Sequence, residues 1–158
     1  MSELTEEINK ENQVKSKQRV TDHGEVFTAQ REVQAMLDLV KQETERIDSR
    51  FLEPACGTGN FLVEILKRKL AVVENRYSKN QIEYERYSIL ALSSIYGVDI
   101  LQDNVQTCRD RLLGIFTHYY LTNYKNEINP EFLKTAEFIL KRNILWGDAL
   151  TLKTPDPK

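Results

Sequence analysis

Apolar residues along the chain follow two spacings, one typical of helices and one typical of short buried strands. The helical spacing occurs in four segments, at 33–47, 60–73, 102–120 and 130–139. Short runs of apolar and β-branched residues lie between or after them, at 51–53, 94–100 and 143–146. The stretch 81–92 is less regular and predicts either a helix or a long crossover. The alternation of helices with short strands indicates an α/β fold.

The first part of the chain is polar and weakly patterned. Residues 1–17 are rich in Glu, Asn, Lys and Gln and predict a polar N-terminal arm. Residues 19–28 predict a turn-rich loop. The helix that follows the loop has one apolar face, formed by Val33, Met36, Leu37, Val40 and Ile47. We therefore divide the chain into an arm, residues 1–17, and one domain, residues 18–158.

Composition suits one soluble domain with a hydrophobic core. The chain has 158 residues, of which 41% are hydrophobic, and a formal net charge of −2. No apolar run approaches the ~18 residues that a membrane span requires, so we expect a cytoplasmic protein with no membrane partner. Cys56 and Cys108 are predicted to be free thiols, and neither histidine has a metal-ligand spacing, so we expect no metal site. The slightly acidic charge disfavours tight binding of nucleic acid by this chain alone.

A strand end, a glycine turn and a helix start follow one another in the segment FLEPACGTGNFL, which begins at Phe51. Pro54 ends the strand because it has no N–H to donate, and Gly57 and Gly59 turn the backbone without obstruction by side chains. The exposed amides at the helix start favour a carboxylate or another anion. Leu62 stands where the dinucleotide-binding fingerprint has its third glycine. Pyrophosphate is therefore disfavoured, and a different adenosyl ligand fits better.

This segment resembles motif I of the S-adenosylmethionine-dependent methyltransferases, in the form typical of enzymes that methylate the amino group of DNA adenine. The resemblance implies a partial Rossmann-like methyltransferase fold, with a short parallel sheet of order 3-2-1 flanked by helices and an N-terminal helical arm. It implies S-adenosyl-L-methionine as the cofactor, with Glu53 and the amides around Gly57 and Gly59 at the methionine end. The motif I residues expected to bind the cofactor are Glu53, Pro54, Ala55, Cys56, Gly57, Thr58, Gly59, Asn60 and Phe61. Plain core packing is the alternative for Phe61.

The residues GEVFT at 24–28 precede a predicted helix and resemble motif X of the same family. The resemblance places Phe27 and Thr28 on the methionine side of the cofactor. Ala29 replaces the proline that usually follows, so the first helical turn is less rigid. The alternative is an ordinary loop that leads into a docked helix.

The second predicted strand ends at Asp99, within a GVDI sequence that resembles motif II. A carboxylate at the tip of the second strand of a nucleotide-binding unit is placed to bind both ribose hydroxyls. The resemblance also implies that Ile100 contacts the adenine face. The alternative role for Asp99 is to cap the next helix.

The third predicted strand leads into a GDAL sequence that resembles motif III. In this motif the acid, here Asp148, accepts a hydrogen bond from the adenine amine of the cofactor, with Ala149 beside it. The alternative is ordinary turn chemistry. Three strands that end in acids, at Glu53, Asp99 and Asp148, together favour the cofactor role.

The family that this chain resembles has a catalytic tetrapeptide of the form [DN]-P-P-[YFW]. No such tetrapeptide occurs in the 158 residues, and the most similar stretch considered, Asn129–Phe132, lacks the second proline. We therefore predict no catalytic residue here, and contact with DNA only through parts missing from this chain. The first hypothesis is the S-adenosylmethionine-binding portion of a site-specific DNA adenine N6-methyltransferase of a restriction-modification system, inactive alone. The second is a non-catalytic cofactor-binding module or subunit, and the third is part of an RNA or protein-glutamine methyltransferase. The methyl acceptor and the recognition sequence stay open.

The family topology places a fourth strand beside the first, and that strand is not among the predicted elements. An unpaired apolar sheet edge invites pairing with another chain. We therefore predict a homodimer through the edge of the first strand. Coverage of this edge by the apolar residues of the arm, Leu4, Ile8 and Val14, is the alternative.

Overall fold

The structure, a computed structural model, describes residues 15–155. Its helices are α1 (Lys17–His23), α2 (Gln30–Asp38), α3 (Lys41–Thr44), α4 (Asn60–Tyr77), α5 (Gln81–Ser93), α6 (Gln102–Tyr124) and α7 (Pro130–Asn143). Its strands are β1 (Phe51–Glu53), β2 (Ile95–Asp99) and β3 (Ile144–Trp146).

The three strands form one parallel sheet in the order β1-β2-β3, with β2 in the centre. Phe51 pairs with Ile95 at the start of β1, and Asp99 pairs with Trp146 at the end of β3. The carboxyl ends of the strands therefore meet at one edge of the sheet. This order is the predicted one, and the helices that connect the strands complete a partial Rossmann-like fold, as expected.

The core lies on one face of the sheet. Residues of β2 alternate between buried and half-buried positions, and the buried set, Ile95, Gly97 and Asp99, is on the side of α4 and α6. A Cβ at Gly97 would lie 2.9 Å from Leu62 Cδ1 and 3.0 Å from Cys56 Sγ, so only glycine lets α4 approach the strand this closely. The opposite face is more open, and Leu52 of β1 is 66% exposed there.

Residues 19–28 are not a continuous loop, because α1 extends to His23. Ser16 caps this helix, since its hydroxyl accepts a hydrogen bond from the Arg19 amide at 3.2 Å. Gly24 ends the helix in the left-handed conformation, with φ 65°, and its amide bonds to the α1 carbonyls. The loop prediction was wrong for the residues up to His23, because a short helix without a long apolar face leaves no helical pattern in the sequence. The loop itself begins at Gly24.

The apolar face predicted for 33–47 is interrupted. Val33, Leu37 and Ile47 are buried, but Met36 and Val40 are 54% and 46% exposed. The chain leaves the helix after Asp38 and starts α3 only at Lys41, so the later residues no longer continue the face of α2.

The uncertain stretch 81–92 lies within helix α5. Its N-cap is Asn80, whose side chain accepts a hydrogen bond from the Glu83 amide at 3.1 Å.

On the preceding helix, α4, Lys69 is fully buried, and its ammonium donates to the Ile47 carbonyl at 3.0 Å and to Ser94 Oγ at 2.7 Å. These bonds satisfy a charge that would otherwise be very unfavourable in the core, and they attach the segment before β1 to α4.

The apolar arm residues Leu4, Ile8 and Val14 lie outside the described residues. Within 15–155, no helix combines the length and the apolar character needed to cross a membrane.

Candidate ligand-binding cleft

A cleft of about 540 Å³ opens at the carboxyl ends of the three strands. Open α/β sheets place their ligands at this position. Four parts of the chain line the cleft. One is the segment before α2, and the other three lie at the ends of the three strands and just beyond them. Their lining residues are 24–28 before α2, 53–57 and 60–61 at β1, 99–101 and 104 at β2, and 147–150 at β3.

The structure brings almost all the predicted site residues together around this cleft. Those that line it are Phe27, Thr28, Glu53, Pro54, Ala55, Cys56, Gly57, Asn60, Phe61, Asp99, Ile100, Asp148 and Ala149. Thr58 and Gly59 do not line it. The lining residues that were not predicted to bind the cofactor are Gly24, Glu25, Val26, Leu101, Asn104, Gly147 and Leu150.

Gly59 serves helix packing rather than the cleft wall. Its φ is 86°, in the left-handed region, and a Cβ built on it would lie 2.6 Å from Cys108 Sγ of α6. The preceding residue, Thr58, points its carbonyl at Arg111 of α6, with Nη1 2.7 Å from the oxygen. The second half of the glycine turn therefore joins the start of α4 to α6.

The amides of both turn glycines are already bonded within the protein. The Gly57 amide donates to Asp99 Oδ2 at 2.8 Å, and the Gly59 amide donates to the Cys56 carbonyl at 2.8 Å. These two amides thus have acceptors within the protein, and the role of the amides around Gly57 and Gly59 at the methionine end of a cofactor stays a prediction. Gly57 also has a positive φ of 52°, and the Phe27 ring covers it, 3.3 Å from the position of a Cβ.

Asp99 is 8% exposed and is held by backbone as well as side-chain donors. Besides the Gly57 amide, Oδ1 accepts from the Leu101 amide at 2.9 Å and more weakly from Asn104 Nδ2 at 3.4 Å. The N-cap position of α6 is occupied by Leu101, so Asp99 is not the N-cap. The carboxylate is thus fixed at the tip of β2, on the floor of the cleft.

Asn60 connects the two motif segments on either side of the cleft. Its Nδ2 donates to the Thr28 carbonyl at 3.0 Å, and its Oδ1 accepts from Arg111 Nη1 at 2.8 Å. The side chain of Asn60 therefore holds the segment 24–28 against the start of α4.

A charged network lies behind the 24–28 segment. Arg19 Nη2 donates to Glu25 Oε1 at 2.8 Å, and Arg19 Nη1 donates to Asp103 Oδ2 at 2.8 Å. Lys15 Nζ donates to the same Asp103 oxygen at 3.0 Å. The bond to Arg19 lowers the pKa of Asp103 to about 2 and lowers the pKa of the buried Glu25 as well. Both carboxylates are therefore ionised near neutral pH.

Among residues 15–155, the charged side chains that line the cleft are all acidic, namely Glu25, Glu53, Asp99 and Asp148, and none of the lining residues in this range is Lys, Arg or His. Burial raises the pKa of Glu53, with a smaller opposing effect from the Ala55 amide. The Leu150 amide bonds to Asp148 Oδ1 at 2.8 Å and lowers its pKa. Within the described part of the chain, Glu25 is the one of these four acids that pairs with a cation, so the cleft favours a positively charged ligand and disfavours a phosphate.

A family model described as "MmeI, DNA-methyltransferase domain" matches residues 12–153. The chain belongs to this family. The match confirms the recognition of a restriction-modification type DNA methyltransferase from the motif residues. Comparisons with curated proteins and with solved structures gave no match.

Proposed function

We propose that this methyltransferase domain binds S-adenosyl-L-methionine in the cleft, as the cofactor-binding portion of a site-specific DNA adenine N6-methyltransferase that works in the cytoplasm. Family membership supports methyl transfer to DNA over the RNA and protein-glutamine alternatives. The observation that carries the choice of cofactor is the acidic lining of the cleft, to which the described residues contribute no basic side chain.

The charge of the ligand separates S-adenosylmethionine from other adenosyl ligands. Its sulfonium and ammonium groups are cations, whereas a dinucleotide carries an anionic pyrophosphate. Glu53, half-buried beside the glycine turn, suits the ammonium group. A pyrophosphate here would face the same carboxylates without a compensating charge.

Each strand supplies one carboxylate for one part of the cofactor. Asp99 accepts hydrogen bonds from the ribose hydroxyls, and Asp148 accepts one from the adenine amine. Phe27, which covers Gly57, contacts the methionine side together with Thr28. The bound cofactor supplies an electrophilic methyl group, and the role of these residues is to bind and orient it.

The chain alone is proposed to transfer no methyl group to DNA. It contains no [DN]-P-P-[YFW] sequence to accept hydrogen bonds from the target amine. The absence of this sequence also favours a second candidate function, that of a non-catalytic cofactor-binding subunit. Incorporation of a tritiated methyl group into adenine by the purified chain would contradict both the predicted inactivity and this second function.

Isothermal titration calorimetry with the 158-residue chain tests the cofactor proposal. We expect S-adenosylmethionine to bind at one site, S-adenosylhomocysteine to bind there more weakly because it lacks the sulfonium charge, and NAD to give no binding heat. Binding of NAD would refute the proposal, and so would a failure of both S-adenosylmethionine and S-adenosylhomocysteine to bind.

A further inference from the structure

Asn104 lies in the first turn of α6, 1% exposed, between groups of opposite charge. Its Nδ2 donates to Glu25 Oε1 at 2.6 Å and more weakly to Asp99 Oδ1 at 3.4 Å. Its Oδ1 accepts from Lys15 Nζ at 2.8 Å and from Arg19 Nη2 at 3.3 Å. The amide is therefore oriented by its surroundings, with the oxygen towards two cations and the nitrogen towards two carboxylates.

This arrangement separates two carboxylates that both line the cleft. Glu25 and Asp99 carry like charges, and the N–H groups of Asn104 lie between them. The bond to Glu25 is the shorter one, and Glu25 is in turn anchored by Arg19. The Asn104 amide is thus held by Lys15, Arg19 and Glu25, and its remaining contact is the weaker bond to Asp99.

We propose that Asn104 is a positioning residue, which orients the Asp99 carboxylate so that its free lone pairs face the ribose hydroxyls of the cofactor. The inference rests on the proposed binding of an adenosyl cofactor in the cleft. Asp99 itself contacts the ribose, and Asn104, which also borders the cleft, acts through Asp99. Without the amide, Glu25 and Asp99 repel each other directly, and of its donors in the described chain Asp99 keeps the two backbone amides.

A ligand that lacks one ribose hydroxyl separates this role from a general effect on the cleft. The wild-type chain should prefer S-adenosylhomocysteine over its 2′-deoxy analogue by about tenfold or more, as expected for a hydrogen bond to a charged group. Replacement of Asn104 by Leu, which has the same number and branching of side-chain heavy atoms but no donors, should reduce this preference to about threefold or less, since a misoriented carboxylate gains little from the hydroxyl. Affinity for the 2′-deoxy analogue, which keeps the 3′-hydroxyl, should fall by a smaller factor than affinity for S-adenosylhomocysteine. A purely structural effect would weaken both ligands equally and leave the ratio at its wild-type value.

The matched control is Gln106→Leu, two positions further along α6. Gln106 is exposed, and its amide donates to Asp110 at 2.8 Å on the outer face of the helix. This variant should keep the wild-type ratio. A folded Asn104→Leu variant that keeps the wild-type ratio, or a control that loses it, would overturn the assignment.

A second variant covers the case in which Asn104→Leu does not fold. Arg19 is less buried, with a side chain 25% exposed, and Arg19→Gln removes the cation that anchors both Glu25 and Asn104. The ratio should fall in this variant too, by a smaller factor, and an unchanged ratio would then count against the proposal. If the wild-type chain binds neither ligand, the proposed function fails instead, so the two failures are distinct.

Discussion

The Gly57 amide donates a 2.8 Å hydrogen bond to Oδ2 of Asp99, across 42 positions in the sequence. The bond joins the turn after β1 to the tip of β2, next to the parallel pairing of these two strands. The acid at the tip of β2 thus shapes the glycine turn in addition to facing the cleft. Binding and local stability should therefore depend on the same carboxylate.

Replacing Asp99 by Ala should weaken S-adenosylmethionine binding and the fold together. Loss of hydrogen bonds to the charged group should cost about 1.5–3 kcal/mol of binding free energy. The free energy of unfolding should also fall, by about 1–3 kcal/mol, because the Gly57 and Leu101 amides lose their acceptor. Calorimetry and denaturant unfolding measure the two effects. Asp110→Ala, on the exposed side of α6, is the control, and unchanged affinity in Asp99→Ala would contradict the ribose assignment.

Replacing Gly59 by Ala should destabilise the protein for two separable reasons. The left-handed backbone at φ 86° costs an L-residue about 1–2 kcal/mol. Overlap of the new methyl group with Cys108 Sγ, only 2.6 Å away, adds overpacking of about 1–3 kcal/mol. Chemical denaturation measures the sum, and adding Cys108→Ala to the variant should restore the overpacking part alone.

Gly114→Ala is the control for this substitution. Gly114 lies within α6, and a Cβ there would meet no heavy atom of the described residues within 4 Å, apart from its chain neighbours and the adjoining backbone of its own helix. Alanine should stabilise the helix at this position by about 0.5–1 kcal/mol. Equal effects of the two glycine substitutions would refute the close contact between α4 and α6.

The charged network around Arg19 should make stability depend on acid pH. The pKa of Asp103 is lowered from 3.8 to about 2, and that of Glu25 is lowered from 4.5, in both cases mainly by the hydrogen bond to Arg19. Groups with lowered pKa values stabilise the fold fully above their usual pKa and lose this contribution as the pH falls through the folded-state value. The stabilisation should therefore be complete above about pH 4.5 and should decline towards about pH 2.

Thermal unfolding of the wild type and of Arg19→Gln across this pH range tests the network. The wild type should be more stable near neutral pH, and the difference between the two proteins should shrink as the pH falls. The control is Lys134→Gln, which removes only the exposed pair with Glu131. A difference between wild type and Arg19→Gln that stays constant down to the lowest pH would show that these carboxylates are not coupled to Arg19.

The main elements of the cleft could be predicted because their signals are local. The acids that follow the strands and the glycine turn each stand within a short stretch with its own chemistry, as the strand tips at Asp99 and Asp148 illustrate. The parallel order of the sheet followed from the family resemblance and is confirmed. These short patterns can be identified in the sequence without any knowledge of long-range contacts.

The rest of the site depends on contacts between residues far apart in the sequence. Glu25 and Asn104 are 79 positions apart, and Arg19 and Asp103 are 84 apart. Polar residues on α1 and α6 carry no periodic signal that would pair them. For Asn104 one clue existed, because a residue five positions after Asp99 returns to the strand tip after the first turn of the next helix.

The edge of β1 should associate with a second copy of the chain. The Phe51 amide bonds to the Ser94 carbonyl, so the N–H and C=O of the next residue, Leu52, point away from β2. At the other edge of the sheet, by contrast, Arg109 Nε donates to the Ile144 carbonyl of β3 at 3.0 Å and protects that strand. Two copies of β1 related by a two-fold axis would pair their Leu52 backbone groups and cover part of the exposed Leu52 side chains.

Light scattering on the full chain and on Leu52→Lys tests this association. The full chain should be a dimer at micromolar concentration, and the charged variant should be a monomer of unchanged stability, because Leu52 is 66% exposed in the single chain. Leu90→Lys, at a residue that is 41% exposed on helix α5 and is not part of β1, is the matched control and should leave the dimer intact. A full-length monomer that becomes a dimer when residues 1–14 are removed would show that the arm covers the edge instead. A chain that is a monomer both with and without residues 1–14 would refute both the second copy and the arm as partners of this edge. The backbone groups of Leu52 that point away from β2 would then bond to water.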